Sequence, residues 1–210
     1  LNFLANDNTA VTAADFSPYC VTVPVNSRLP GGGGNQLCGL YDVSPAKFGQ
    51  INNIIRSADD FGHQREHWDG FDVSVSTRLK GGVILQGGTS TGTTMTDNCE
   101  IAKAFPGKVT STYPGAAATA TPTNAFAAVQ STEMCHAETP FLTQVKLIGS
   151  YVFPGGVQFS GAFQSLPGVR IAANAVFNNA QIAPSLGRNR SAGATATISI
   201  NVVPPGAMYG

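Results

Sequence analysis

Two short runs carry the residue types and spacing of catalytic motifs. His63-Gln-Arg-Glu66-His67 fits H-x-x-E-H, the inverted pattern of a zinc hydrolase. That chemistry needs a helix, so that two imidazoles four residues apart share a face and the glutamate sits beside a metal-bound water. Gly62 precedes the run, and Trp68-Asp69-Gly70 leads straight into an alternating segment, so a strand is expected instead. On a strand His63 and His67 stand about 13 Å apart, too far for one ion. Gly88-Thr-Ser90-Thr-Gly92 fits the nucleophile elbow G-x-S-x-G, and Asp97 and His136 follow in hydrolase order. The elbow needs a strand that turns sharply onto a helix. Here Thr93-Thr94-Met95-Thr96-Asp97-Asn98 follows, which is poor helix material without an apolar stripe. No catalytic, cofactor-binding or metal-binding residue is therefore assigned, no cofactor is expected, and the chain is not read as an enzyme.

Four cysteines, Cys20, Cys38, Cys99 and Cys135, fall as two separated pairs, none of them in a Cys-x-x-Cys spacing. A zinc knuckle or thioredoxin motif is disfavoured on that ground. Of the three ways to pair them, Cys20–Cys38 with Cys99–Cys135 is expected, because each bond closes one loop-rich segment outside the strands. Closing loops of this size stabilises by roughly 3–4 kcal/mol each on a chain-entropy estimate. Disulfides imply an oxidising compartment.

The elements that must carry these residues are read from composition and period. The 210 residues suffice for one substantial domain. Charged residues are 11% with a formal net charge of zero, which leaves no electrostatic reason to expect a nucleic-acid partner. The 24 Gly and 13 Pro, with abundant Thr, Ser and Asn, favour strands and turns over helices. No apolar run is long enough for a membrane helix. The chain opens at Leu1 without a basic-then-apolar leader, which reads as a signal peptide already removed.

Residues 1–62 read mainly as a disulfide-tied, loop-rich arm, with Pro18 and Pro24 as strand breakers and Gly31 to Gly34 as a flexible turn. One short helix is expected near 45–56, with Ser44 as cap and Phe48, Ile51 and Ile55 on one face. Residues 63–94 read as a β-hairpin: Phe71, Val73, Val75, Thr77 and Leu79 alternate with polar residues, Lys80-Gly81-Gly82 turns, and Val83 starts the return. Residues 95–140 read as a long loop tied by Cys99 and Cys135, including low-complexity sequence over 109–128. Residues 141–210 read as strands and hairpins, with alternation around a Pro154-Gly155-Gly156 turn and over 194–202. The expected apolar face holds Val73, Val75, Val145, Leu147, Tyr151, Phe159, Phe163, Ile198 and Ile200. Ser74, Ser76, Gln144, Ser150, Gln158 and Gln164 take the other. Strands of ten or more residues, apolar on one face and small-polar on the other, carry the dyad signature of a transmembrane β-barrel, and a soluble β-sandwich alternates in the same way.

A run of landmarks extends over nearly the whole chain: Cys38-Gly-Leu-Tyr-Asp42, Pro45-Ala-Lys-Phe-Gly49, Trp68-Asp-Gly70, Gln86-Gly-Gly-Thr-Ser-Thr-Gly92, Asp97-Asn-Cys99, Phe141-Leu-Thr-Gln144, Gln164-Ser-Leu-Pro-Gly168, Ala183-Pro-Ser-Leu-Gly-Arg188 and Pro205-Gly-Ala-Met-Tyr-Gly210. In this order they resemble the C-terminal barrel portion of TonB-dependent receptors of the type with a carboxypeptidase-regulatory-like domain. The resemblance implies the outer membrane of a Gram-negative bacterium and import of a bulky solute with TonB-coupled energy. Plug, TonB-contacting segment and closing strands of that family are not found here, so a fragment is expected.

These readings converge on an all-β, single-domain chain over 1–210: an antiparallel long-stranded β-barrel or barrel-derived sheet with long disulfide-tied loops and at most one short helix. The expected partners are copies of itself in a homopolymer, joined through exposed strand edges into an extracellular structural fibre or tube, with outer-membrane lipid against the parent barrel and no nucleic acid. The alternative is one part of an intact outer-membrane receptor.

Overall fold

A computed structural model describes residues 3–106, 129–169, 171–204 and 207, with only the backbone described at 3–7 and 58. The strands are β1 (Phe3–Asn8), β2 (Phe16–Thr22), β3 (Gln36–Val43), β4 (Asn53–Ser57), β5 (Arg65–Leu79) and β6 (Val83–Asp97). After helix α1 (Cys99–Ala104) come β7 (His136–Glu138), β8 (Leu142–Val152), β9 (Gln158–Ser165), β10 (Asn174–Phe177), helix α2 (Asn179–Leu186) and β11 (Ile198–Asn201). Every strand-to-strand ladder is antiparallel, and the chain is all-β with short helices. The expected low-complexity loop at 109–128 lies outside the described residues, as does most of the 205–210 landmark.

Three expectations are corrected. The arm 1–62 is built of strands, since β1 pairs β4 and β2 pairs β3. Pro18 sits inside β2, opposite Tyr41, because a strand with one partner can leave the missing donor on its free side. No helix forms at 45–56. Pro45–Lys47 makes one 3-10 turn, Gly49 takes φ 82°, and Asn53–Ser57 continues as β4 with Ile51 and Ile55 exposed. There, β-branched residues and a partner strand outweigh the helical spacing. The described residues hold two α-helices rather than at most one, both outside that segment.

The core is assembled from the two ends of the chain. Tyr19, Val21, Val23, Leu37 and Leu40 from the β2–β3 hairpin pack with Met134, Phe177, Ile182, Ile198 and Ile200. Phe177, Leu40, Ile182 and Ile200 are essentially inaccessible, at 0–1%. Ile198 and Ile200 therefore do not share a surface with the long sheet, as the alternation had suggested. They lie on a separate β10–β11 hairpin, whose strand is only Ile198–Asn201 rather than 194–202. Helix α2 is framed locally: the Asn178 side chain accepts from the Gln181 N–H at 3.1 Å, Gln181 Oε1 accepts from the Asn178 N–H at 3.0 Å, and Gly187 closes the end at φ 77°.

Asp42, on β3, ties the C-terminal segment to this hairpin. Its carboxylate accepts from Arg188 Nη1 at 2.5 Å, the Ser191 N–H at 2.9 Å and Ser191 Oγ at 3.1 Å, with Arg190 Nε 3.6 Å away. Asn179 Nδ2 donates to the Gly193 and Ala194 carbonyls at 2.7 Å each, ordering the same loop. The Cys20–Cys38 bond, with Cα atoms 4.1 Å apart, staples β2 to β3 beside the core.

Two stability outcomes follow. Asp42→Ala removes the buried carboxylate that pairs with Arg188 and accepts from the Ser191 N–H, and urea unfolding is expected to show a loss of about 3–5 kcal/mol. Burial also pushes the Tyr19 phenol up to about 12, against a lowering by the nearby Arg190 cation. The folded state holds this proton more tightly than an unfolded tyrosine near 10, so its stabilisation is full below pH 10 and is lost as the pH rises towards 12. Thermal melts over that range are expected to fall less steeply in Tyr19→Phe.

Candidate functional site

The other half of the described molecule is one open sheet. Its strand order is β5-β6-β8-β9, with β7 pairing the far end of β6. The β5–β6 ladder runs unbroken from Leu79↔Val83 to Arg65↔Asp97, and the three-residue turn between them has Gly81 and Gly82 at positive φ. Among the described residues β5 and β9 each have a single neighbour, so the sheet has two free edges and does not close into a barrel.

Residues opposite each other in an antiparallel ladder share a face, so the register assigns every side chain. One face carries the rows Leu79, Val83, Tyr151, Phe159; then Thr77, Leu85, Gly149, Gly161; then Val75, Gly87, Leu147, Phe163; then Val73, Thr89, Val145, Ser165. The opposite face carries Ser74, Ser76, Gln144, Ser150, Gln158 and Gln164. The expected division holds for every residue it named within this sheet, while Ile84, Ile148 and Val152 also lie on the second face, which is mixed rather than uniformly polar. The apolar face is uncovered: Phe159 is 69% exposed, Phe71 59%, Phe163 57% and Val75 53%. On the polar face the Trp68 ring lies over the backbone of Gly70 and Gly92, where an added Cβ would come within 2.3 and 2.5 Å of it. The aromatic ring covers what these strand-interior glycines leave bare.

The catalytic look-alikes are taken apart by the same ladder. His63 Nδ1 lies 2.9 Å from Glu100 Oε2, while His67 Nε2 lies 3.0 Å from Asp69 Oδ2, so the two imidazoles face different carboxylates. Among the described residues no three His, Cys, Asp or Glu side chains come together to hold a metal ion. Asp97 and His136 do meet, at 3.2 Å, because β7 pairs β6 there. Ser90 stands seven residues back along β6, about 23 Å away at strand rise, and on the opposite face. No triad forms.

The base of the sheet is polar and disulfide-tied. Cys99–Cys135, with Cα atoms 4.8 Å apart, joins the start of α1 to the start of β7, and none of the four cysteines is free. All three histidines of the chain lie at this end, each against its own carboxylate. The 95–140 segment expected as loop thus contains the end of β6, α1 and β7. Phe105, buried behind α1, meets the ring edges of Phe16 at 5.7 Å and Phe61 at 6.1 Å. No helix among the described residues is long and apolar enough to cross a membrane.

Comparison with protein-family models, curated proteins and solved structures finds no match.

Two carboxylates at the sheet base titrate low. The Cys99 N–H, at 2.9 Å, and then His136 hold Asp97 below the usual range, and the His63 N–H does the same for Glu100. Their stabilisation is complete above the unfolded value near 4 and is lost as pH falls through the lower folded values. Asp97→Asn is expected to flatten the acid limb of a stability-against-pH curve below pH 4, measured by urea midpoint.

Proposed function

We propose that this chain is a structural subunit that assembles with copies of itself through the open sheet, building an extracellular fibre or tube. The observation that carries the reading is the sheet's own incompleteness. A 15-residue edge at β5 and an 8-residue edge at β9 each present a row of backbone donors and acceptors to a further strand. The apolar face between them leaves Phe71, Val75, Phe159 and Phe163 each more than half exposed, the kind of surface that marks an interaction site. Zero net charge removes the long-range repulsion that keeps like chains apart. The two disulfides suit an oxidising, extracytoplasmic setting. Neither catalysis nor nucleic-acid binding belongs to this reading.

A second reading follows from the same face. Long strands with apolar residues on one side, and Tyr151, Phe153 and Phe159 gathered at the hairpin end, also suit lipid contact in an outer-membrane barrel. In that case the sheet belongs to a TonB-dependent-receptor-like importer of a bulky solute. The readings differ in what covers the apolar face.

Negative-stain imaging with mass measurement on material prepared without detergent separates them. Filaments or particles of many times 21.7 kDa are expected. A particle at monomer mass that stays in solution only with detergent overturns self-assembly in favour of the membrane reading.

A further inference from the structure

The two free edges of the sheet are chemically unlike. β5 carries Arg65, Glu66, Asp69, Asp72 and Arg78, the kind of charge that guards an edge against stray pairing. β9 carries no charge and no proline, and all of its residues are exposed. Its sequence reads Gln158-Phe159-Ser160-Gly161-Ala162-Phe163-Gln164, which is the same in both directions but for the small residues Ser160 and Ala162.

We infer that β9 is a self-complementary dimerisation edge, pairing antiparallel with β9 of a second copy about a two-fold axis through Gly161. The inference rests on the assembly reading above and names its first contact. An antiparallel two-fold pair matches residues whose numbers have a constant even sum, since paired residues share a face. Centred on Gly161, that register sets Phe159 opposite Phe163 of the second copy, Gln158 opposite Gln164, and Ser160 opposite Ala162. Both aromatic pairs fall on the apolar face and both glutamine pairs on the polar face, so the two sheets join with their faces continuous.

The apolar face is shaped for this. Gly161 pairs Gly149, and together they form a trough between the Tyr151–Phe159 row and the Leu147–Phe163 row. An added Cβ at Gly161 would meet nothing within 4 Å. In the equivalent two-fold pairing of β5 about Asp72, that carboxylate would face its own copy while Glu66 would face Arg78 on either side, so this edge offers a mixed charged contact in place of the aromatic one. The uncharged, fully exposed β9 edge, whose two-fold pairing opposes no like charges and matches its aromatic residues, is the one assigned to the symmetric contact.

The register is tested by paired charges. In Phe159→Lys with Phe163→Lys, lysine faces lysine across the axis; in Phe159→Lys with Phe163→Glu, lysine faces glutamate twice. Sedimentation of the full chain, with both disulfides verified by mass, is expected to show the Lys/Lys variant dissociating at a concentration at least about tenfold above that of the Lys/Glu variant. Equal behaviour of the two overturns the register. As a second reading of the same contact, Gly161→Cys places a thiol on the axis in a chain whose own four cysteines are already bonded. Mild oxidation is expected to give a covalent dimer at twice 21.7 kDa, with Asp72→Cys on β5 giving none. A wild-type chain that assembles while Gly161→Cys fails to cross-link overturns the β9 contact and leaves assembly standing. A wild-type chain that remains at 21.7 kDa overturns the assembly reading itself.

Discussion

A single buried carboxylate holds the packed half of this protein together. Asp42 lies on β3 and is 5% exposed, yet its partners Arg188, Arg190 and Ser191 come from about 146 to 149 residues later in the chain. A buried charge is tolerated only when opposite charge and hydrogen bonds replace the lost water. Meeting that requirement brings the loop after α2 against the β2–β3 hairpin. With the loop in place, Ile182 and the β10–β11 hairpin close over Tyr19 and Leu40, and the core is formed.

The sheet half obeys a different logic. Its strands are held by ladder hydrogen bonds and cross-strand contacts, with no second layer over either face among the described residues. Its attachment to the packed half runs through small contacts: the Phe16, Phe61 and Phe105 ring cluster, and the Ser131 and Thr132 hydroxyls on the Cys38 and Gly39 carbonyls. Apolar burial is the main favourable term in folding, so a sheet that buries little by itself owes its stability to whatever covers it. An uncovered apolar face beside an unguarded edge joins the structural argument to the functional one.

The polar base of the sheet shows how motif matches mislead. H-x-x-E-H and G-x-S-x-G are patterns defined on helix and elbow backbones, and both here lie in or beside extended chain. Extension turns a four-residue spacing from a shared ligand site into a separation of about 13 Å. The histidines then serve as local partners for Asp69, Asp97 and Glu100.

Period-two alternation was enough, from the sequence by itself, to place the Phe71–Leu79 part of β5, to find the two hairpins that turn at Gly81-Gly82 and Gly155-Gly156, and to divide the residues it named between two faces. Those assignments are local, because side-chain direction along a strand is set by backbone geometry alone. The cysteine grouping likewise anticipated both disulfides, since near-neighbour loops bring those pairs together. Helix α2 was legible in principle from its Asn178 and Gln181 capping box and from Gly187, signals that the reading of 141–210 as strands passed over. Tertiary structure alone decided the rest. The Phe48, Ile51 and Ile55 spacing yielded to pairing of β4 with β1, because a partner strand offers backbone bonds that an isolated short helix cannot match. Ile198 and Ile200 alternate as the sheet residues do, yet they are buried because Asp42 draws their segment to the opposite end of the chain. Alternation reports which residues share a face; what that face meets depends on contacts more than a hundred residues away in sequence.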